Sequence, residues 1–212
     1  SLVNVSCYSG NDGSATIAVT QGTAPYTINW TPSGGNSLSA SSLTAGSYTV
    51  SVTDASGCEV VDSITIAEPA ELALSILFYT DVLCNGDSTG TISVAVSGGT
   101  GPGYSYSWAP SGATGSTAAN LAVGTHTVTV TDQNGCIEAI SAVINEPAAL
   151  ISVIDTTVNP ICFGGMGSAL VNATGGVLPY TYMWALSGET SNTADSLVAG
   201  THTVVTTDAN GC

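Results

Sequence analysis

Lysine and arginine are absent from all 212 residues, against 15 acidic side chains and two histidines, so the formal net charge is −15. A surface of that sign repels phosphate backbones and anionic lipid headgroups, which argues against nucleic-acid partners and membrane-surface binding. Without Lys or Arg no side-chain salt bridge to them can form, so the fold has to rest on burial, hydrogen bonds and cross-links, and trypsin-like proteases find no site. No run of about 20 apolar residues marks a membrane span, and membrane insertion is not expected. No segment carries the 3.6-residue hydrophobic period of a helix. The six cysteines and two histidines show neither C-x-x-C nor H-x-x-x-H spacing, which weakens a zinc reading. No signal peptide stands at Ser1, where the chain begins inside a repeat and reads as a fragment of something longer.

What is present is repetition. The phrase "VTVTDQNGC" at 128–136 returns as "VSVTDASGC" at 50–58 and "VVTTDANGC" at 204–212. Trp30, Trp108 and Trp184 each stand 28 residues before the closing cysteine, and Cys7, Cys84 and Cys162 precede those tryptophans by 23, 24 and 22 residues. Each unit therefore reads Cys, Trp, Cys. "AEPAEL" and "NEPAAL" follow the first two units, and their prolines mark joints. The expected domains are 1–69, 70–147 and 148–212.

Three equally spaced cysteine pairs predict one disulfide inside each unit, Cys7 with Cys58, Cys84 with Cys136 and Cys162 with Cys212, in an oxidising, extracytoplasmic setting. Units of this size hold a marginal core, and closing a loop of about 50 residues would contribute on the order of 4 kcal/mol.

Val, Ile, Thr and Tyr at period two, between Gly, Asn and Asp clusters, predict strands throughout. Ile17 and Val19 in the first unit, and Ile92, Val94 and Val96 in the second, share an inward face. Tyr26, Ile28 and Trp30, matched by Tyr104, Tyr106 and Trp108 and by Tyr180, Tyr182 and Trp184, form an aromatic wall. Tyr48, Val50 and Val52 alternate inward on the strand that ends in the repeated phrase. Its Asp-x-x-Gly is a hairpin turn, with Gly or Asn supplying positive φ and Asp bonding local amides. Roughly seven short strands per unit and a core tryptophan indicate tandem all-β, immunoglobulin-like sandwiches.

The phrases "GNDGSATIAVTQGTAPYTINW", "LTAGSYTVSVTDASGC" and "SITIAEP" resemble the SprB-type repeat of very large surface adhesins of gliding Bacteroidetes. The resemblance spans all three units and implies a secreted, cell-surface or filamentous protein. Departures are His126 and His202 in the position of Tyr48, and extra residues around Pro102 in the second unit. In that setting, the triplets at Asp62, Asp87, Asp155 and Asp195 resemble the Asp-Ser/Thr-apolar O-glycosylation acceptor of Bacteroidetes, at Ser63, Ser88, Thr156 and Ser196. Asn4, Asn29 and Asn172 also fit N-x-[ST].

Other chemistry is thin. "GDSTG" at 86–90 matches a nucleophile elbow only formally, since an elbow needs a strand-to-helix turn with a histidine and an acid nearby, whereas this segment joins two strands and its counterparts "GNDGS" and "GGMGS" place no serine at the equivalent spot. His126 and His202 are read as polar aromatics bonded to backbone, like the tyrosine corner of sandwiches. Asp12, Asp54, Glu68 and Glu71 are candidate calcium ligands should they meet at a unit end, yet unit two has Ala149 where unit one has Glu71. The leading expectation is a non-enzymatic structural array whose partners are neighbouring repeats or further copies. The rivals are modules that bind surface glycans, and spacers of a secreted hydrolase. The third unit ends at Cys212 without the closing strand of units one and two. Its open edge calls either for a chain that continues or for a donated strand.

Overall fold

The computed structural model describes residues 1–101 and 103–212; Pro102, around which the second unit is expected to carry its insertion, lies outside the described residues. Among the described residues the chain forms strands, turns and irregular segments, and no helix. The first unit holds β1 (Leu2–Val3), β2 (Gly13–Thr16), β3 (Thr27–Thr31), β4 (Ser39–Leu43), β5 (Gly46–Thr53) and β6 (Glu59–Ile66). These make two antiparallel sheets, ordered β1-β2-β4 and β3-β5-β6.

The second unit repeats the plan with β7 (Ala70–Thr80), β8 (Gly90–Gly99), β9 (Ser105–Ala109), β10 (Thr117–Leu121), β11 (Gly124–Thr131) and β12 (Ile137–Ile144), ordered β10-β8-β7 and β12-β11-β9. The third holds β13 (Ile151–Val158), β14 (Gly167–Thr174), β15 (Thr181–Trp184), β16 (Thr193–Leu197) and β17 (Val204–Thr207), ordered β13-β14-β16 and β15-β17. Among the described residues the first two units thus have six strands each, not the roughly seven expected, because the stretch between β3 and β4 (32–38) crosses over without ladder pairing.

Each pair of sheets closes on one core. In the first unit Ala15, Ala40 and Leu43 from one sheet meet Ile28, Trp30, Tyr48, Val50 and Ile66 from the other. Trp108 and Trp184 occupy the same place in the other units, and all three indoles are nearly sealed from solvent. Each indole Nε1 donates to a backbone carbonyl seven residues on, at Ser37, Gly115 and Ser191, over 2.8–2.9 Å. That bond satisfies the one polar atom that burial of a tryptophan brings into the core.

The corner reading of Tyr48 and its counterparts holds. Tyr48 Oη donates to the Thr44 carbonyl at 3.0 Å, and the Nε2 atoms of His126 and His202 lie 2.9 and 2.7 Å from the carbonyls of Ala122 and Val198. A carbonyl only accepts, so each Nε2 carries the proton and each Nδ1 is left without a partner.

The expected cysteine pairing is wrong. Cys7 bonds Cys136 and Cys84 bonds Cys212, with Cα–Cα distances of 5.7 Å in each, while Cys58 and Cys162 are free and exposed. The reason is strand length. Cys58 sits in the hairpin turn that the Thr53 and Glu59 pair closes, whereas Cys7 lies just past Val5, whose amide bonds Ala67 next to the Ile66 and Gly46 pair. Those are opposite ends of the eight-residue β5, about 23 Å apart at 3.3 Å per residue. A disulfide needs Cα atoms within about 7 Å, so a unit cannot close on itself.

Candidate functional site: the joint between units

The chemistry concentrates where one unit meets the next, and it begins with an aspartate. In the Asp-x-x-Gly-Cys turn, Asp132 Oδ1 accepts from the amides of Asn134 and Cys136, both at 2.9 Å, and Oδ2 accepts from Thr100 at 2.8 Å. Asp208 does the same with Asn210, Cys212 and Val177. Asp54 does so with Ser56, Cys58 and Thr23. Gly57, Gly135 and Gly211 sit at φ of 84–86°, which glycine enters without a Cβ clash.

These bonds favour the ionised carboxylate. The Ser56 hydroxyl first, then the amides of Thr23 and Cys58, lower Asp54 from its ordinary 3.8 to about 2. Burial pushes Asp132 upward, but the amides of Cys136, Thr100, Asn134 and Gly135 outweigh it and the net direction is down. Asp208 also lies low, held mainly by the Cys212 amide.

The turn so fixed aims a cysteine and an asparagine at the preceding unit. Asn134 Nδ2 donates to the Ser6 carbonyl at 2.9 Å beside the Cys7–Cys136 bridge. Asn210 Nδ2 donates to the Leu83 carbonyl at 2.7 Å beside Cys84–Cys212. Both joints thus use the carbonyl immediately before the lead-in cysteine. A cavity of about 410 Å³ lies at the first joint, lined by Cys7, Tyr8, Pro69, Glu71 and Cys136 among others.

The remaining sequence candidates are scattered. Asp12 accepts from the Ser6 amide, Asp54 caps its turn, Glu68 accepts from the Ser9 amide, and Glu71 lines the joint cavity. Among the described residues no three His, Cys, Asp or Glu side chains gather as a metal site. Ser88 lies in an irregular segment before β8, not in a strand-to-helix elbow. Ser63, Ser88, Thr156 and Ser196 are all exposed, Ser63 and Thr156 on strands β6 and β13. Among the described residues no helix is long and apolar enough to cross a membrane.

Fold and joint together define a tandem array of small β-sandwiches in which each unit is covalently tied to its neighbour. The chain carries three SprB repeats, at residues 1–35, 78–113 and 154–185. These matches run from the lead-in strand past the core tryptophan. The Asp-x-x-Gly-Cys turns lie outside them, so the joint rests on the geometry alone. No curated protein matches the chain.

Proposed function

We propose that the chain is a structural segment of a secreted cell-surface filament or adhesin stalk, serving attachment or gliding. The observation that carries this is the pair of bridges linking successive units, which turns three sandwiches into one cross-linked strut. SprB repeats are typical of a surface adhesin associated with gliding, and disulfides belong to oxidising compartments. Among the described residues the recurring polar side chains, the turn aspartates, the corner residues Tyr48, His126 and His202, and the joint asparagines Asn134 and Asn210, are all spent on backbone groups. Glycosylation at Ser63, Ser88, Thr156 or Ser196 fits this setting, since all four hydroxyls lie open to solvent.

The test is antibody labelling of intact cells of the source organism, using serum raised against residues 1–212. Decoration of surface fibres is expected. Signal that appears only after permeabilisation would remove this reading. The glycan-binding alternative looks to exposed aromatics such as Tyr8 and Phe163. Tyr8 also lines the joint cavity, beside Cys136 and Ile137 of the neighbouring unit.

A further inference from the structure

Asparagine stands directly before glycine at three places, Asn85–Gly86, Asn134–Gly135 and Asn210–Gly211, and each lies within two residues of a bridged cysteine. Asn-Gly is the pair in which the backbone attacks its own side chain most readily, because the glycine nitrogen nears the carboxamide carbon with no Cβ in the way. The turn itself does not call for the asparagine. Ser56 takes that position in the first unit, where Asp54 still holds the amides of Ser56 and Cys58, and Gly57 keeps its φ of 86°. What the asparagine adds is reach to the preceding unit, from Asn134 to Ser6 and from Asn210 to Leu83.

That reach also governs the attack. Asn134 Nδ2 donates to the Ser6 carbonyl at 2.9 Å and to Thr100 Oγ1 at 3.2 Å, so both of its protons are engaged. The Gly135 amide donates to the Asp132 carbonyl at 3.2 Å, which occupies the proton the attacking nitrogen must lose. Asn210 on Leu83 at 2.7 Å and Gly211 on Asp208 at 3.1 Å repeat the arrangement. Asn85 is held inside its own unit, with Nδ2 on the Pro147 carbonyl at 3.0 Å and the Gly86 amide on the Glu146 carboxylate at 2.7 Å. Asn134 is exposed all the same, so water reaches it.

We propose that Asn134–Gly135 is a self-modification site that the closed joint holds in check and an open joint releases, so that a joint once parted is permanently marked. When the two units separate here, Nδ2 loses Ser6 and only the longer bond to Thr100 remains. The side chain can then swing back over its own peptide. The Gly135 nitrogen bonds Asn134 Cγ, the Cγ–Nδ2 bond breaks, and the carboxamide nitrogen leaves as ammonia with the proton that Gly135 gives up. Water opens the resulting cyclic imide on either side, leaving an aspartate, or an isoaspartate whose backbone runs through Cβ and Cγ. No oxidant enters. Either product spoils the contact, because a carboxylate only accepts and would face the Ser6 carbonyl, another acceptor, where an N–H donated before. The isoaspartate also lengthens the tight turn that aims Cys136 at Cys7.

The test follows the asparagines by peptide mass mapping of the 212-residue chain, held at mildly alkaline pH in heavy-oxygen water, which labels each imide that hydrolyses. In the native oxidised chain Asn134 should convert at least about tenfold more slowly than in the same chain unfolded in urea, since the rate tracks the population of the open form. Cys7→Ser with Cys136→Ser should raise conversion at Asn134 and leave Asn210, beside the intact second bridge, unchanged. Equal rates at Asn134 in native and unfolded chains, or no rise in the double variant, overturns the gate. A rise at both asparagines overturns it too, because protection would then come from the fold as a whole. Asn134→Asp reproduces one product with both cysteines in place. Its Cys7–Cys136 bridge should yield to dilute thiol several-fold faster than in the parent chain, with Cys84–Cys212 unchanged, and Asn134→Ser should fall between. Equal reduction rates overturn the consequence for the joint. Surface labelling of cells stands or falls independently of either result.

Discussion

Asn134 in the second unit donates its carboxamide to the carbonyl of Ser6 in the first, at 2.9 Å and within two residues of the bridge that ties the same two units. A hydrogen bond and a covalent bond thus share one contact, and Asn210 with Leu83 repeats the arrangement.

The first expectation concerns connectivity. Non-reducing peptide mapping should recover Cys7 with Cys136 and Cys84 with Cys212, and a Cys7–Cys58 fragment would contradict the fold. Each bridge closes a loop of roughly 130 residues, for which chain entropy gives about 5 kcal/mol. Reduction should therefore lower the unfolding midpoint sharply.

Removing the carboxamide isolates the polar half of the joint. Asn210→Ala should cost about 1 kcal/mol, the usual net worth of a hydrogen bond. Its effect should shrink in a Cys84→Ser, Cys212→Ser background, because units no longer tied leave less to lose. Denaturant midpoints of the four variants form the cycle that measures this.

Acid should loosen the turns in a defined window. Asp54 titrates lower in the folded protein, about 2, than its ordinary 3.8. Its stabilising contribution is therefore complete above about 3.8 and fades as pH falls through about 2, so stability rises with pH across that interval. Asp132 and Asp208 shift in the same direction and add to the slope. Urea midpoints between pH 5 and 2 should show it, and Asp54→Asn should flatten the curve. An unchanged slope in that variant would remove Asp54 from the account.

Trp108→Ala should cost about 3–5 kcal/mol, the range for truncating a large core aromatic. The indole is 2% exposed and its Nε1 bond to Gly115 is lost with it. Thermal unfolding provides the check, and an unaltered midpoint would place this ring outside the core.

His126 supplies a finer test of the corner. His126→Phe keeps an aromatic ring but strips the donor from the Ala122 carbonyl, at a cost of about 1–3 kcal/mol if that oxygen stays buried. His126→Tyr, the residue found at 48, should recover much of the loss, since Tyr48 makes the equivalent bond.

The sandwich was readable because its signals are local and stated three times. Alternation along Tyr48, Val50 and Val52, the tryptophan spacing and the Asp-x-x-Gly turn each report on a few neighbouring residues. The bridges were not readable, because which cysteines meet depends on which end of the sandwich each occupies. That depends on how many times the chain traverses the unit, and residues 32–38 carry it across without a strand's alternation. The turn aspartate was assigned its role of bonding local amides correctly, but its reach to Thr23, Thr100 and Val177 spans more than 30 residues and left no trace in the phrase itself.

Cys84 lies inside the loop that Cys7 and Cys136 close, so the two bridges overlap along the chain. Under tension applied at the two ends, the shortest covalent route passes from Cys7 to Cys136, back along the backbone to Cys84, and across to Cys212. Only the roughly 50 residues between Cys84 and Cys136 would bear that load, and fully drawn out they span roughly 170 Å. The overlap therefore works as a limiter of stretch. A tether built this way can let its sandwiches come apart under a pull and still stop far short of its contour length, and a single backbone cut anywhere between Cys7 and Cys212 leaves its two ends attached.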